Sequence, residues 1–332
     1  MSVTRPRTSF DPYLHDPDRW GVSLAQSGEL LLGCLDAAGA RSVVEVGAFA
    51  GDLTRVLVDW AAGAGARVAA IDPSPREGLL ELDRAHPELE LVRATSLSAL
   101  PGFPVPDAVV IDGDHNWHTV SEELRLIGER APGAELPLLL FHDVCWPHAR
   151  RDDYFDPEQI PADRRHPAAG DRGGIVPGDP GLVAGGLPYP SSAAREGGER
   201  NGVLTAVEDF VAGRDGLRLA VVPVFFGLGA VWHTSAPYAD DVARILDPFD
   251  RHPVLERLEG NRVHQLAQRH FALAELWAER ERRARQEAVL RRLLDSSAFA
   301  LAERLSRLRA RAGIARDASV ISRAEVRRAL DD

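Results

Sequence analysis

Short apolar runs alternate with amphipathic stretches along most of the chain. Short segments dominated by apolar residues are typical of strands buried on both faces. The predicted strands of this kind are 43–46, 67–71, 89–94, 107–111 and 136–141. Helical spacing of apolar residues follows the first of them, from Leu53 to Trp60. This alternation predicts an α/β fold around a parallel sheet.

The later part of the chain departs from that alternation. A helix is predicted over 202–212, followed by two strands, 217–225 and 229–233, whose joint at Gly227 indicates an antiparallel hairpin. Helical patterns then fill 253–312, with a last helix after Ser322. We therefore predict an N-terminal arm and helices (1–40), a sheet domain (41–235) and a helical extension (236–332).

The first predicted strand ends in an acidic residue and a glycine turn. Ser42 to Asp52 reads SVVEVGAFAGD, so Glu45 precedes Gly47 and Gly51 in a turn that opens a helix. Glycines allow a ligand to approach the backbone, and a helix N-terminus offers free N–H groups. The alternative for such a turn is tight packing of the protein against itself.

The other predicted strands also end in polar residues. These are Asp72, then Thr95 and Ser96, then the run Asp112 to His115, and finally His142 and Asp143. In open α/β sheets the carboxyl ends of the strands meet at one edge, and ligands bind there. An acidic side chain at the position of Asp72 can accept hydrogen bonds from ribose hydroxyls.

Taken together, EVGAFAGD, Asp72 and IDGDHNWHTV resemble the class I S-adenosylmethionine-dependent methyltransferases. The resemblance covers residues 42–233 and implies a Rossmann-like sheet of parallel strands closed by an antiparallel hairpin. It also implies S-adenosylmethionine as the cofactor and a set of cofactor-binding residues. These are Glu45, Gly47, Ala48 and Gly51 on the methionine and ribose side, Asp72 on the ribose hydroxyls, Ser96 near the adenine, and Asp112.

Within that superfamily the chain is most similar to the metal-assisted O-methyltransferases that act on sugars and secondary metabolites. This implies a divalent cation at Asp112, His142 and Asp143, where the family usually has Asp or Glu at the position of His142. Mg²⁺ prefers oxygen ligands, whereas a histidine favours Mn²⁺, Fe²⁺ or Zn²⁺. The alternative is a metal-free site, in which Asp143 caps the next segment and Asp112 faces the cofactor amine.

His115 is the candidate general base, because imidazole titrates near neutral pH and lies three residues after Asp112. The chain has no lysine, which excludes a lysine base. His118 is a second candidate, expected on the first turn of the next helix. The alternative for His115 is a structural hydrogen bond at the start of that helix.

The stretch 144–201 is dense in Pro, Gly and Arg and interrupts the strand pattern. Its length and its position after Asp143 favour a lid over the site, and a solvated insertion is the alternative. Its aromatic residues are expected to stack on an acceptor and its arginines to hold acidic groups. The residues in question are Trp146, Tyr154, Phe155, Tyr189, Arg150, Arg151, Arg164 and Arg165.

The net charge of −11 argues against a general nucleic-acid surface and favours a small-molecule acceptor. The two cysteines, the lack of an apolar signal core and the lack of an apolar run of about 20 residues predict a cytoplasmic protein without a transmembrane segment. Arginines concentrate in 279–311. Interrupted apolar stripes over 253–312 favour a helical hairpin that forms a homodimer or packs on the core. Trp20 and Gln26 are expected to reach the methionine end of the cofactor.

The sequence thus predicts a bacterial-type O-methyltransferase that uses S-adenosylmethionine, with His115 as base and Asp112 and Asp143 as cation-binding or acceptor-positioning carboxylates. Three alternatives stay open. They are a non-catalytic scaffold that acts through its helical tail, an N- or C-methyltransferase, and an NAD-dependent oxidoreductase, which the glycine spacing and the final hairpin disfavour.

Overall fold

The computed structural model describes residues 23–313 and 322–331. Trp20 lies outside these residues. The chain divides into two units, Met1–Ala267 and Gln268–Asp332.

The first unit contains a seven-stranded sheet. Its strands are β1 (Ser42–Val46), β2 (Arg67–Ile71), β3 (Leu89–Val92), β4 (Ala108–Ile111), β5 (Leu138–Phe141), β8 (Leu217–Val222) and β9 (Leu228–His233). They lie in the order β3-β2-β1-β4-β5-β9-β8. The first five are parallel, and β9 pairs antiparallel with both β5 and β8. The predicted Rossmann-like sheet with its antiparallel closing hairpin is confirmed.

The central strands are mostly apolar because both faces of the sheet are covered. Val109 on β4 packs in one core cluster, while its neighbours Ala108 and Val110 pack in the other. All three side chains are fully buried. This burial on two faces explains the unbroken apolar runs, since successive residues of a strand point to opposite sides.

Helices surround the sheet and continue beyond it. They are α1 (Gly28–Ala37), α2 (Asp52–Ala64), α3 (Glu77–Ala85), α4 (Ser96–Ala99), α5 (Trp117–Arg130), α6 (Val203–Ala212), α7 (Ala239–Leu246), α8 (Pro253–Asp295), α9 (Ser297–Arg311) and α10 (Arg323–Asp331). The core on one face includes side chains of α1, α2 and α7, and the core on the other includes side chains of α5 and α6. The layers are those of a doubly wound fold.

The insertion 144–201 is tied to the rest of its unit by buried polar side chains. Asp152 is fully buried and accepts hydrogen bonds from the backbone N–H groups of Trp117 (2.8 Å) and Gly202 (2.7 Å) and from the Tyr154 hydroxyl (2.9 Å). A short hairpin, β6 (Gly174–Val176) with β7 (Asp179–Val183), lies within the insertion. The insertion is therefore built on a buried polar network.

The described residues of the second unit are mostly helical. Over 253–312, where a helical hairpin is predicted, the structure has the 43-residue helix α8 followed by α9, and α10 comes after them. Arg323 connects these helices, because its side chain donates to the Leu294 carbonyl and its backbone N–H donates to Glu303 Oε1 (3.4 Å). Within the described ranges, no helix combines the length and apolarity needed to cross a membrane.

Candidate functional site

A pocket of about 510 Å³ lies at the carboxyl edge of the sheet. The loops that follow β1, β2, β3 and β4 form its floor, and residues 155–160 of the insertion lie at one side. Its lining includes Glu45, Gly47, Ala48, Phe49, Asp72, Ser96, Asp112, His115, His118, Thr119, Phe155 and Ile160. Its volume lies within the range of about 300–1,000 Å³ that is usual for small-molecule sites.

The glycines of the first turn let segments of the protein approach one another. Gly47 has φ +84°, and a Cβ added there would lie 2.2 Å from the backbone oxygen of Asp112. Gly51 has φ +86°, and a Cβ there would lie 2.7 Å from Leu82 Cδ1. Gly47 also lines the pocket, whereas Gly51 precedes α2 and is outside the lining. Gly47 therefore serves both close packing and the approach of a ligand, whereas Gly51 serves close packing only.

Glu45 is buried under the floor of the pocket. Its Oε2 accepts a hydrogen bond from Thr54 Oγ1 (2.6 Å), a residue on the first turn of α2. Burial raises the pKa of Glu45 to about 8, against the opposing effect of the Thr54 hydrogen bond. The Glu45 carboxyl therefore keeps its proton to a higher pH than a solvated carboxyl does, and in that form it can donate a hydrogen bond.

Asp72 holds the two loops beside it through its carboxylate. One oxygen accepts from the backbone N–H of Phe49 (2.6 Å) and the other from that of Ser74 (2.7 Å). Each carboxylate oxygen has capacity for a further hydrogen bond. The arrangement therefore leaves acceptor sites of Asp72 for the hydroxyls of a ribose.

Ser96 donates a hydrogen bond to Oε1 of Glu123, a residue that sequence reasoning missed. Glu123 is fully buried on α5, and burial raises its pKa to about 8. Its Oε2 has no hydrogen-bond partner among the described residues. One signal was available in the sequence. Glu123 occupies an i+3 position in the apolar stripe of Val120, Leu124 and Ile127, where a carboxyl is out of place.

His142 bridges Asp112 and the turn after β8. Its Nε2 lies 2.9 Å from the carbonyl oxygen of Phe225, and its Nδ1 lies 3.0 Å from Asp112 Oδ1. A carbonyl and a carboxylate only accept, so both ring nitrogens carry protons and the ring is an imidazolium. Burial favours the neutral ring, but Asp112 and Asp143 outweigh it and raise the pKa of His142 to about 10.

Asp112 and Asp143 both face histidines. Burial would raise the pKa of Asp112, but His142 and His115 outweigh it and hold that pKa at about 2. Asp143 has φ +57°, a left-handed conformation that is unusual for a non-glycine residue. Its Oδ2 lies 3.1 Å from His115 Nε2 and 3.4 Å from His142 Nδ1. The backbone of Asp143 thus turns its carboxylate back toward the two histidines.

His115 lines the pocket, and its ring faces both carboxylates. Its Nε2 is 3.8 Å from Asp112 Oδ1, in addition to the contact with Asp143. Burial favours the neutral ring, but Asp143 and Asp112 raise the pKa of His115 to about 9. His118 lies on the first turn of α5, as predicted, and also lines the pocket.

The donor atoms around Asp112 fit a divalent cation. Asp112, His115 and Asp143 each bring one ligand atom to within 4.8 Å of the others. The two carboxylates suit a hard cation such as Mg²⁺. His142 contacts both carboxylates but donates from both nitrogens, so it offers a lone pair only after losing the Nδ1 proton. The structure thus brings the predicted metal residues together and adds His115 to them.

The insertion places further residues at the site that the sequence did not indicate. The Asp153 N–H donates to the His115 carbonyl (2.9 Å), and the Phe155 N–H donates to Asp114 Oδ1 (3.0 Å). These bonds hold 153–155 against the loop after β4. His148 is buried beside His115, with ring centroids 4.8 Å apart. No local pattern could have predicted these positions, because they depend on how the insertion folds back.

Other expectations find structural explanations. Arg150 pairs with Glu208 (2.6 Å), and Arg151 donates to the carbonyl of Ala193 (2.6 Å), so both arginines hold the insertion in place. Gln26 is outside the described pocket lining, which Ser23 reaches instead. Burial raises the pKa of the Cys145 thiol to about 12, consistent with packing.

Part of the sheet that forms this pocket is similar to a known protein family. Residues 44–144, which run from β1 to the end of β5, match the family model described as a methyltransferase domain. No curated protein matches the chain.

Three solved structures represent the similar folds. An SAH-bound methyltransferase from Podospora anserina is 14% identical over 68% of this chain and 88% of that chain, with a TM-score of 0.43. A methyltransferase from Geobacter sulfurreducens is 16% identical over 69% and 92%, with a TM-score of 0.38. An O-methyltransferase from Bacillus cereus, in complex with SAH, is 14% identical over 70% and 93%, with a TM-score of 0.38.

At such identities and TM-scores these structures say nothing about the acceptor of this chain. The family match is independent of them, and it covers the strand ends that carry Glu45, Asp72 and Asp112. Residues 44–144 match that methyltransferase model, which confirms the resemblance first indicated by the motifs at the strand ends.

Proposed function

We propose that the protein is an S-adenosylmethionine-dependent O-methyltransferase that acts on a hydroxyl of a sugar or secondary metabolite. One observation carries the proposal. A single pocket brings Glu45, Asp72 and Asp112 together with His115, and Asp143 contacts that histidine from behind. The three carboxyls at the ends of β1, β2 and β4 supply cofactor contacts, and the histidine supplies proton transfer.

Each residue has a role that follows from its position. Asp72 accepts the ribose hydroxyls, Gly47 and Ala48 form the floor, and Ser96 lies at the adenine side. Asp143 Oδ2 accepts a hydrogen bond from His115 Nε2–H. Because the carboxylates raise the pKa of His115 to about 9, its Nδ1 takes the proton of the acceptor hydroxyl only in the fraction of molecules whose ring is neutral. Bound S-adenosylmethionine supplies the electrophilic methyl group. Catalysis then depends on alignment and deprotonation of the acceptor.

The proposal includes assistance by a divalent cation held by Asp112 and Asp143, with His142 as a further ligand once its Nδ1 is deprotonated. Such a cation would neutralise the two carboxylates and polarise the acceptor hydroxyl. Methyl-transfer assays of the chelator-treated protein, with and without added Mg²⁺, test this part. A Mg²⁺-dependent rate supports it, and an unchanged rate in chelator contradicts it.

A methyl-transfer screen tests the reaction itself. We would incubate the protein with methyl-labelled S-adenosylmethionine and a panel of hydroxyl-bearing sugars and phenols, and locate the methyl group by NMR. His115→Gln should keep cofactor binding and lose about 10²-fold or more of the rate. His86→Gln is the control, since His86 follows α3 beside Glu88. A full rate in His115→Gln would contradict the assigned base, and a methyl group on nitrogen or carbon would contradict O-methylation.

A scaffold role is a second candidate, favoured by the second unit. Large apolar side chains on α8 and α9 are exposed there, namely Leu273, Leu276, Trp277, Leu301, Leu305 and Leu308. Exposed apolar stripes are typical of interaction surfaces. We propose that these side chains mediate the formation of a homodimer. Light scattering should give the mass of a dimer for the full chain and the mass of a monomer for Leu305→Glu. A monomeric wild-type chain would contradict it.

A further inference from the structure

A second histidine–carboxylate group lies on the insertion side of the pocket. His115, His148 and Asp153 each bring one ligand atom to within 4.8 Å of the others. We call these three residues the insertion-side cluster. His148 and Asp153 both lie beyond residue 144, outside the matched methyltransferase domain.

Burial and ring packing hold the His148 side chain in one orientation. Its side chain is 5% exposed, and its ring lies nearly parallel to that of His115, with an interplanar angle of 26°. The ring of Tyr189 contacts it edge-on, with centroids 5.5 Å apart. These neighbours fix the orientation of the His148 imidazole.

His148 has an unused ring nitrogen. Its Nδ1 is buried and has no hydrogen-bond partner among the described residues. Buried polar groups are nearly always paired, so an unpaired one requires an explanation. In the tautomer that carries its proton on Nε2, Nδ1 offers a lone pair that a cation can bind.

The other two members of the insertion-side cluster are held from behind. Asp143 Oδ2 lies 3.1 Å from His115 Nε2, and Ser192 Oγ donates to Asp153 Oδ1 (3.0 Å). Metal-binding histidines commonly donate their other N–H to a carboxylate, and ligating carboxylates are themselves hydrogen-bonded. Both supporting contacts are present here.

We propose that the insertion-side cluster binds one divalent transition-metal ion, with His115, His148 and Asp153 as ligands. Two imidazoles and one carboxylate suit Zn²⁺, Fe²⁺ or Co²⁺ and leave positions open for water. The oxygen-rich pair Asp112 and Asp143 suits harder cations, so the two groups differ in the metal that they prefer.

An ion bound by His115 occupies the lone pair that the proposed base needs, so it inhibits methyl transfer. Only that last consequence depends on the proposed function.

Co²⁺ serves as the probe, because its visible absorption reports the ligands around it. Titration of the full metal-free chain should give one equivalent of bound Co²⁺ with a visible band, displaced by Zn²⁺. His148→Phe and Asp153→Asn should each weaken binding by at least about tenfold, the usual range for losing an element of a metal site. His86→Phe removes a distant histidine and should bind Co²⁺ like the wild type.

Asp112→Asn distinguishes the two groups of ligands and should keep the Co²⁺ band. A band lost in Asp112→Asn and retained in His148→Phe would place the ion at Asp112 and Asp143 and overturn the proposal. The absence of binding to the wild type would also overturn it. Circular dichroism checks that each variant is folded. If His148→Phe does not fold, the test rests on Asp153→Asn, which keeps the hydrogen-bond acceptor for Ser192.

The inhibitory consequence has its own readout. Micromolar Zn²⁺ should reduce methyl transfer in the wild type and have a smaller effect in Asp153→Asn. Co²⁺ binding is measured without S-adenosylmethionine, so a failure of the proposed methyltransferase activity leaves the metal result intact. Equal inhibition of both proteins by Zn²⁺ would contradict the link between the ion and His115.

Discussion

The carboxyl edge of the sheet, which we call the cofactor edge, and the insertion meet at one pocket but are stabilised in different ways. At the cofactor edge, the backbones of Gly47 and Asp112 approach so closely that no Cβ fits, and Asp72 holds loop N–H groups. In the insertion, the buried side chains of Asp152 and Arg151 hold the chain through hydrogen bonds to distant segments. The cofactor edge therefore depends on close backbone packing, and the insertion depends on buried polar side chains.

The difference has a consequence for mutation. A substitution at the cofactor edge should affect binding directly, because the same atoms form the pocket. A substitution in the polar network of the insertion should act first on stability, since its members lie behind the pocket. The predictions below are ordered from the largest expected effect to the smallest.

Gly47→Ala should have the largest effect. The new Cβ would lie 2.2 Å from the Asp112 oxygen at a φ of +84°, so β1 and β4 must separate. We expect S-adenosylmethionine binding to be lost and the free energy of unfolding to fall by about 4 kcal/mol or more. Gly39→Ala is the matched control, because Gly39 also has a positive φ (+62°) but an added Cβ meets nothing within 4 Å. It should cost about 1 kcal/mol and leave binding unchanged.

Asp152→Ala tests the insertion. The substitution leaves the N–H groups of Trp117 and Gly202 and the hydroxyl of Tyr154 without their buried acceptor. We expect the free energy of unfolding in urea to fall by about 3–5 kcal/mol. Asp163→Ala, an exposed position on the same insertion, should change it by less than about 0.5 kcal/mol. Equal effects of the two substitutions would show that the insertion does not depend on its buried network.

Glu123→Gln tests the buried acid beneath the pocket. The folded-state pKa of Glu123 is about 8, above its ordinary value of 4.5. Between these two pH values the unfolded chain releases this proton and the folded chain keeps it, so the wild type loses stability as pH rises. The variant should therefore gain about 2 kcal/mol or more relative to the wild type between pH 5 and pH 8. Glu122→Gln, on the exposed side of α5, should show no such gain.

Phe155→Ala should have the smallest effect. Its ring is 67% exposed at the side of the pocket, so little buried area is lost from the free protein. If the insertion covers the cofactor, binding should weaken about fivefold while the unfolding midpoint stays constant. Phe249→Ala, another exposed phenylalanine, should leave binding unchanged. Unaltered binding in both variants would contradict a contribution of the insertion to cofactor binding.

The sequence predicts the sheet well because its signals are local. The predicted strands that end near Glu45, Asp72 and Asp112 lie within a few residues of their observed bounds, since apolar segments need no information from distant parts of the chain. The polar residues at those ends are expected to converge, because the carboxyl ends of parallel strands share one edge. The closing hairpin is predictable because its apolar segments are also local signals.

The rest of the site depends on contacts between distant residues. Asp152 reaches Gly202 across 50 positions, and Asp153 contacts His115 across 38, so no periodicity reveals them. His148 lies in a stretch dense in Pro, Gly and Arg, where no periodicity singles it out. Glu123 is an intermediate case, because its place in an apolar stripe was visible but its partner Ser96 was not.

Calorimetric binding of S-adenosylmethionine to the full chain tests the central claim most directly. The wild type should bind one equivalent, and Asp72→Asn should weaken binding by at least about tenfold because one ribose acceptor is lost. Asp59→Asn, at an exposed position on α2, should bind like the wild type. Binding of NAD in place of S-adenosylmethionine, or equal affinity in all three proteins, would contradict the assignment of this pocket to the methyl donor.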